Sequence, residues 1–467
     1  MSGADTDADV DTRFDLLVLG AGSGGYACAL RAAQLGLRVG LVEKGELGGT
    51  CLHVGCIPTK ALLHAAEVAD SARDAARFGV RATLDGIDVP AVNTYRRRVV
   101  SRLHKGLTGL ISSRGITVID GEGRLTGPRE VTVDGTTYTG ERLVLATGSY
   151  SRSLPGLDVD GDRVMTSEHA LDLEHVPESV VVLGGGVIGC EFASVWASFG
   201  ARVTIVEALP RLVPGEDEAS SAALERAFRK RGITVRTSTS YESVKVGDGS
   251  IALSVSGGEV IEAERMLVAV GRGPSTAGLG YEEQGLGMER GFVLADDRCR
   301  TNLEGVYAVG DIVPGLQLAH RGFAQGVFVA EDVAGLEPAA VDESAIPRVT
   351  YSHPEVASVG FDEASAVAAY GADGVETLTY DLGGNGKSQI LGTQGFVKLV
   401  RRVDGPVVGL HMVGERVGEL VGEAQLIYGW EAHPEDVAPH VHAHPTQHEA
   451  LGEAHMALAG KPLHAHS

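Results

Sequence analysis

The sequence predicts an α/β chain of two related βαβ units, closed by a separate α+β domain. Three observations predict it. A strand, glycine turn, helix and strand occur twice in that order, and each copy ends in a glutamate 23 positions after the first glycine of its turn. Short apolar runs alternate with helical stretches before about residue 346. After that point strand-like runs precede one helical stretch, a different plan.

The elements follow in order. Residues 14–19 read as a buried strand, 20–25 as a glycine turn, and the helix continues to about Leu35. Residues 37–42 form the next strand, ending at Glu43. In the second copy, 179–183 is the strand, 184–189 the turn, 190–199 the helix and 202–206 the strand ending at Glu207. Residues 143–148 close the first unit and 267–271 the second. A third such strand, 306–311, is expected to return the chain to the first unit. Runs 396–400 and 407–413, then a helix from about 418 to 430, build the last domain. The expected limits are a disordered tail at 1–12, a first domain from 13–150 with 272–345, a second at 151–271, and a C-terminal domain at 346–467.

Composition narrows the function classes. The chain has 467 residues and 43% apolar content, enough for two to four cores. A net charge of -22 argues against nucleic acid and anionic membranes as partners. No apolar run is long enough to span a bilayer, because 14–30 carries Asp15 and four glycines. The acidic opening lacks the features of a signal or transit peptide, so a soluble cytoplasmic protein is expected. Five scattered cysteines do not suggest a disulfide framework, while a catalytic pair is permitted.

The repeated turns specify dinucleotide binding. Gly20 allows the tight turn, Gly22 lets the backbone approach a pyrophosphate, and Gly25 lets the helix pack close to the strand. The helix N-terminus offers N–H groups and a positive dipole end to phosphates. Glu43 is placed to accept ribose hydroxyls. Gly184, Gly186, Gly189 and Glu207 repeat these roles, so two Rossmann-like dinucleotide-binding domains are expected. A carboxylate at 207 repels a 2′-phosphate and favours NAD over NADP, with Arg202 and Arg211 nearby as the counter-argument.

Cys51 and Cys56 stand just after the first unit, within Gly-Gly-Thr-Cys-Leu-His-Val-Gly-Cys-Ile-Pro. On a regular helix, Cα atoms five apart are separated by roughly 8.6 Å, beyond the roughly 7 Å limit for a disulfide. If these two bond, the stretch is not a regular helix. Gly48, Gly49 and Gly55 permit distortion, and Pro58 suits the first turn of a following helix. Two buried thiols, or a metal site using His53 and His64, are the competing readings. Cys28 and Cys190 read as small core residues, and Cys299 receives no role.

The segment 440–449 holds four histidines. Their spacing would set successive histidines on one side of an extended strand. A His444–Glu449 pair would make a general base, since a carboxylate on one ring nitrogen leaves the other to take a proton. Metal binding and plain surface roles stay open.

Together, Gly-Gly-Thr-Cys-x-x-x-Gly-Cys-Ile-Pro-x-Lys and His-x-His-Pro-Thr-x-x-Glu closely resemble the pyridine nucleotide–disulfide oxidoreductases, in particular the branch that oxidises dihydrolipoyl groups. The likeness covers nearly the whole chain after the tail. It implies FAD in the first unit, NAD in the second, and a C-terminal dimerisation domain. It also implies a homodimer whose site takes its base from His444 of the partner subunit. Cys51 would be the exchange thiol and Cys56 the thiol against the flavin. Lys60 would lie near the reactive flavin nitrogen, paired with Glu191. Asp311 would contact the ribityl chain, with Thr147 and Gly148 lining the site. Lys44, Gly49 and Thr50 would join the FAD-binding residues, and Val187 and Gly271 the NAD-binding ones. No metal is implied.

The implied reaction is oxidation of dihydrolipoyl groups on a lipoyl-carrying protein of 2-oxo acid dehydrogenase or glycine-cleavage complexes, with NAD⁺ as acceptor. Reduction of another small disulfide, of glutathione or mycothiol type, is the alternative. Glu207 and the lack of an arginine cluster speak against it. His53, Thr59 and His448 are mild departures from the family pattern.

Overall fold

The computed structural model describes residues 12–464, so the predicted tail falls almost wholly outside the described residues. The chain forms two compact units. The first combines residues up to Pro58 with Arg97–Ser151 and Arg272–Val341. The second combines Thr59–Arg96, Arg152–Gly271 and the chain from Asp342 onward.

The first unit is built on a sheet whose centre is the strand Arg13–Leu19, parallel to Val39–Glu43 on one side and to Thr136–Leu145 on the other. Thr117–Asp120 extends it beyond Val39–Glu43. The strand Val306–Ala308 lies parallel to Thr136–Leu145, so the third closing strand does return to this sheet. Registers pair Leu19 with Val42 and Leu145, and Leu145 with Ala308. The residues after these strands therefore gather along one carboxyl edge, the usual ligand edge of such sheets. The strands are apolar throughout because helices cover them: Leu16, Val18, Leu41 and Val144 pack with Cys28, Ala29 and Ala32 of the helix Ser23–Gln34.

In the second unit, Thr234–Arg236, Arg202–Val206, Ser179–Leu183, Arg265–Val268 and Val164–Met165 form a parallel sheet in that order. The helix after its glycine turn begins at Val187, earlier than the sequence suggested, because Gly186 already acts as the N-cap. The C-terminal region is an antiparallel sheet ordered Arg348–Thr350, Glu355–Gly360, Val407–Gly414, Phe396–Arg402 and Val375–Asp381. Helices Val417–Gly429 and Glu449–Leu458 bury Leu420, Ala424, Leu451 and Ala454 against it. Among the described residues no helix is long and apolar enough to cross a membrane.

Candidate active site

The first glycine turn is shaped by contacts that admit no side chain. Gly20 has φ +100°, and a Cβ there would lie 2.4 Å from the carbonyl oxygen of Ala146. A Cβ on Gly25 would lie 1.8 Å from the oxygen of Gly20. Nothing lies within 4 Å of a Cβ built on Gly22, so the space above it is open. The helix Ser23–Gln34 has no side-chain cap and no acid in its first turn. Its first N–H groups are thus left for an anion. Glu43 accepts the Ala21 N–H at 2.7 Å and the Gly45 N–H at 2.9 Å, which holds the turn against the strand end.

The second turn repeats this construction. Gly184 has φ +109° with Ala269 O 2.3 Å from a built Cβ, Gly189 faces Gly184 O at 2.0 Å, and Gly186 is open. Glu207 is buried and accepts the Gly185 N–H at 2.6 Å and the Leu209 N–H at 2.7 Å. Arg211, the sequence's argument for a 2′-phosphate, donates to Pro214 O at 2.9 Å instead. Val187 is exposed at the helix start, and Gly271, with φ +101°, accepts the Arg152 N–H at 3.0 Å.

Cys51 and Cys56 sit on two separate helices. Cys51 belongs to Gly49–His53 and Cys56 opens Cys56–Asp74. The first helix ends at Val54, where φ is −137°, and a Cβ on Gly55 just after it would lie 2.9 Å from Thr50 O. No regular helix spans the pair, the condition a disulfide needs. The short helix is pinned to the glycine turn: Gly48 N–H donates to Ala21 O at 2.9 Å, and a Cβ on Gly49 would lie 2.8 Å from Gly22 Cα. Thr50 follows in the same helix. Both cysteines are half-buried, whereas Cys28, Cys190 and Cys299 are buried. Burial pushes the Cys28 and Cys190 thiols far up, out of reach of ionisation. Tyr26 is pushed up to about 12, chiefly by burial and then by the nearby Cys51. His53 Nε2 donates to Leu47 O at 2.9 Å, and its ring meets His104 edge-on at 5.0 Å.

Lys60 lies one turn beyond Cys56 on the same helix. Its Nζ is 2.8 and 2.9 Å from the two oxygens of the buried Glu191. Tyr351, which the sequence reading missed, completes this group: its ring lies 4.8 Å from Nζ, and its N–H donates to Glu191 Oε1 at 3.1 Å. At the carboxyl edge of the first sheet, Asp311 accepts from Ser149 Oγ at 2.5 Å, and Ser149 Oγ accepts from Arg272 Nε at 2.7 Å. Thr147 Oγ1 donates to Ser275 O at 2.7 Å, and Gly148, at φ +74°, has open space where a Cβ would stand. Lys44 is exposed and pairs with Glu122 at 3.0 Å.

His444 and Glu449 form the expected pair, Nδ1 to Oε1 at 2.8 Å, while Glu449 Oε2 accepts the Thr446 N–H at 2.8 Å. Burial raises the Glu449 pKa, but the Thr446 amide and the His444 ring outweigh it and hold the group below the usual carboxylate range. The loop is tied down by Asn385 Nδ2 to Thr446 O at 3.0 Å and by Ser388 Oγ to Gln447 Oε1 at 2.7 Å. The expected strand through 440–444 is absent, since the segment pairs with no sheet. Its histidines diverge: the His442 side chain is 13% exposed and that of His444 76%. Among the described residues no three His, Cys, Asp or Glu side chains gather as a metal site requires.

Comparison with known proteins agrees with this geometry. Residues 14–326 match the pyridine nucleotide-disulphide oxidoreductases, and residues 346–455 match the dimerisation domain of the same proteins. The dihydrolipoyl dehydrogenase of Bacillus subtilis (strain 168) is 39% identical, with 97% of this chain and 99% of that one covered. The dihydrolipoyl dehydrogenase of Chlorobaculum parvum is 41% identical over 95% and 97%. The crystal structure of LpdA from Mycobacterium tuberculosis superposes with a TM-score of 0.89 at 26% identity, covering 96% of this chain and 99% of that one.

Proposed function

We propose, from the premise that this chain belongs to the pyridine nucleotide-disulphide oxidoreductases, that it oxidises dihydrolipoyl groups carried on a partner protein and delivers the electrons to NAD⁺. The premise makes it a dihydrolipoyl dehydrogenase-type flavoprotein disulfide oxidoreductase that uses FAD and NAD(H) and works as a homodimer. The carrier would be the lipoyl protein of a 2-oxo acid dehydrogenase or glycine-cleavage complex. A cytoplasmic location accords with a pair that cycles between dithiol and disulfide rather than a permanent bridge.

Both turns fit the dinucleotides. Each offers an open second glycine, an uncapped helix start without acids, and a carboxylate at the strand end. Gly20, Gly22, Gly25, Glu43, Gly49 and Thr50 would hold FAD, with Thr147, Gly148 and Asp311 at the strand ends beyond. Gly184, Gly186, Val187, Gly189, Glu207 and Gly271 would hold NAD. Bound FAD supplies a two-electron path from the thiol pair to NAD⁺.

The residues' own steps follow. The Nδ1 proton of His444 is held by Glu449, so Nε2 accepts the proton of one substrate thiol. In the homodimer this base is His444 of the partner subunit. The thiolate attacks Cys51 Sγ, the Cys51–Cys56 bond breaks, and Cys56 leaves as a thiolate. The second substrate thiol then attacks the substrate sulfur of the mixed disulfide, the bond to Cys51 breaks, and the departing Cys51 sulfur takes up that thiol's proton. The lipoyl disulfide departs, and two electrons remain on the cysteine pair. Lys60, held by Glu191 and lying against the ring of Tyr351, would stand near the reactive nitrogen of bound flavin and favour negative charge there.

The broken helix supports this reading most. It sets Cys51 and Cys56 on separate helices, with the first pinned to the glycine turn. Cys51→Ser is the test. The variant should keep its FAD and its NADH-driven dye reduction and lose dihydrolipoamide oxidation. Normal lipoamide turnover in that variant would exclude the thiol route.

A further inference from the structure

Glu423 lies outside the cysteine pair, the glycine turns and the His444–Glu449 pair, yet it joins both ends of the segment that carries His444. It is half-buried on the helix Val417–Gly429. Its Oε1 lies 2.8 Å from His442 Nε2, and its Oε2 lies 2.8 Å from His448 Nδ1. Those histidines stand two residues before and four residues after His444.

A second observation points the same way. A Cβ on Gly452 would lie 2.5 Å from His442 Nδ1 and 2.8 Å from its Cε1. The His442 ring is thus seated on bare backbone of the helix Glu449–Leu458. That helix also supplies Glu449 to His444. Beside His442 and His448, the carboxylate of Glu423 faces the buried His455 of the same helix, and Glu449 faces His442. Burial raises the Glu423 pKa, but the two bonded imidazoles outweigh it, and the group is held as a carboxylate. The bond to Glu423 in turn raises His442 against the opposing effect of burial.

His444 itself is largely exposed, and among the described residues Glu449 is the hydrogen-bond partner that orients its ring. The direction of its free nitrogen therefore depends on the backbone between 442 and 448. We propose that Glu423 is a positioning residue for the His444 base, clamping this segment at two points through His442 and His448. The proposal rests on the reading of His444 as the base. Two clamp points fix an orientation, where one would leave a hinge.

The test uses the full-length, FAD-loaded dimer. Glu423→Gln removes the charge and turns one acceptor into a donor. The kcat for dihydrolipoamide oxidation should fall by about 10- to 100-fold, the scale of an ångström-sized misplacement. The base's apparent pKa in the kcat/KM profile should move. NADH-driven dye reduction, which bypasses His444, should hold within about twofold. His442→Gln should give a similar loss, and the double variant should lose no more than the larger single one. An unchanged rate and pH profile in Glu423→Gln would overturn the proposal. So would equal loss of both activities or a dissociated dimer, which would mark the residue as structural only. Should Glu423→Gln fail to fold, His448→Gln carries the same two assays, and an unaltered dithiol rate there overturns the clamp. His444→Gln separates the two readings. If it loses less than about threefold, far below the span for a general base, the base assignment fails. If it is crippled while Glu423→Gln is normal, only the clamp fails.

Discussion

Replacing Gly189 with alanine would set a methyl carbon 2.0 Å from the carbonyl oxygen of Gly184. Both atoms belong to one backbone turn, so no flexible side chain can swing aside. Ordinary contact would require the start of the helix Val187–Phe199 to back away from the strand end by roughly 1.5 Å. The N–H groups proposed to face the NAD pyrophosphate move with that helix. Overpacking of this kind costs about 1–3 kcal/mol, and here it falls on the binding geometry. The Kd for NAD⁺ should therefore rise about 10- to 100-fold. The assay is a titration with NAD⁺ followed by calorimetry or by the fluorescence of the bound flavin. Retained FAD shows that the variant is folded, and reduction of the enzyme by dihydrolipoamide should be untouched. Gly25→Ala is the mirror experiment: its Cβ meets Gly20 O at 1.8 Å, so that variant should lose FAD instead. If Gly189→Ala holds FAD and binds NAD⁺ within about twofold of the parent, the second turn is not the NAD site and the reasoning fails.

Further outcomes are expected. His444→Gln should lower the rate of dihydrolipoamide oxidation by about 10²–10⁴, with NADH-driven dye reduction preserved; steady-state kinetics with both electron acceptors checks it. Glu207→Gln keeps one acceptor for the turn but removes the negative charge, so the preference for NAD over NADP should fall by about tenfold; kcat/KM measured with both nucleotides decides, and an unchanged ratio counts against the assigned role. Burial raises the Glu355 pKa from 4.5 to about 7, with Glu415, Glu419 and Glu67 adding to it and a bond from the Gly418 N–H opposing. A carboxyl raised in this way holds its proton longer folded than unfolded. Its penalty therefore grows as pH rises from about 4.5 to about 7 and persists above that. Glu355→Gln should raise Tm by about 2–4 °C at pH 8 and leave it unchanged at pH 5. A gain at pH 5 equal to that at pH 8 would refute the titration argument.

The charges within the second unit also bear on stability. Lys398 is buried between Asp217 at 2.9 Å and Glu363 at 2.6 Å, and those bonds hold its pKa up against burial. Asp217 caps the helix Glu218–Lys230, and Lys398 belongs to the strand Phe396–Arg402. The ion pair thus fastens the helix that follows the strand Arg202–Val206 to the C-terminal sheet. Removing one partner alone would strand a buried charge, the costly way to break such a pair.

Much of the fold was legible because its constraints act at single positions. Gly20 and Gly184 need positive φ, and Gly25 and Gly189 leave no space for a Cβ, so the glycines themselves declare the turns. The strands 179–183 and 202–206 follow the predicted limits, since an apolar run between helices has one way to be buried. Gly48, Gly49 and Gly55 permitted a break between Cys51 and Cys56 without requiring it, and the backbone places the two on separate helices. The histidine segment was the weak point. Spacing suggested one face of a strand, but no strand partner reaches it, and Glu423 draws His442 inward while His444 stays out.

The sequence by itself determined the two dinucleotide turns; it allowed, without deciding, a broken helix at Cys51 and Cys56 and a His444–Glu449 pair. Each of these is a local matter of backbone space or of neighbours a few residues apart. Only the tertiary structure decided that Tyr351 lies over Lys60, that Ser149 links Arg272 to Asp311, and that Glu423 gathers His442 and His448. Those partners come from segments far apart in the chain or from different faces of neighbouring elements. Periodicity carries no record of such meetings, because packing selects them after the local elements have formed.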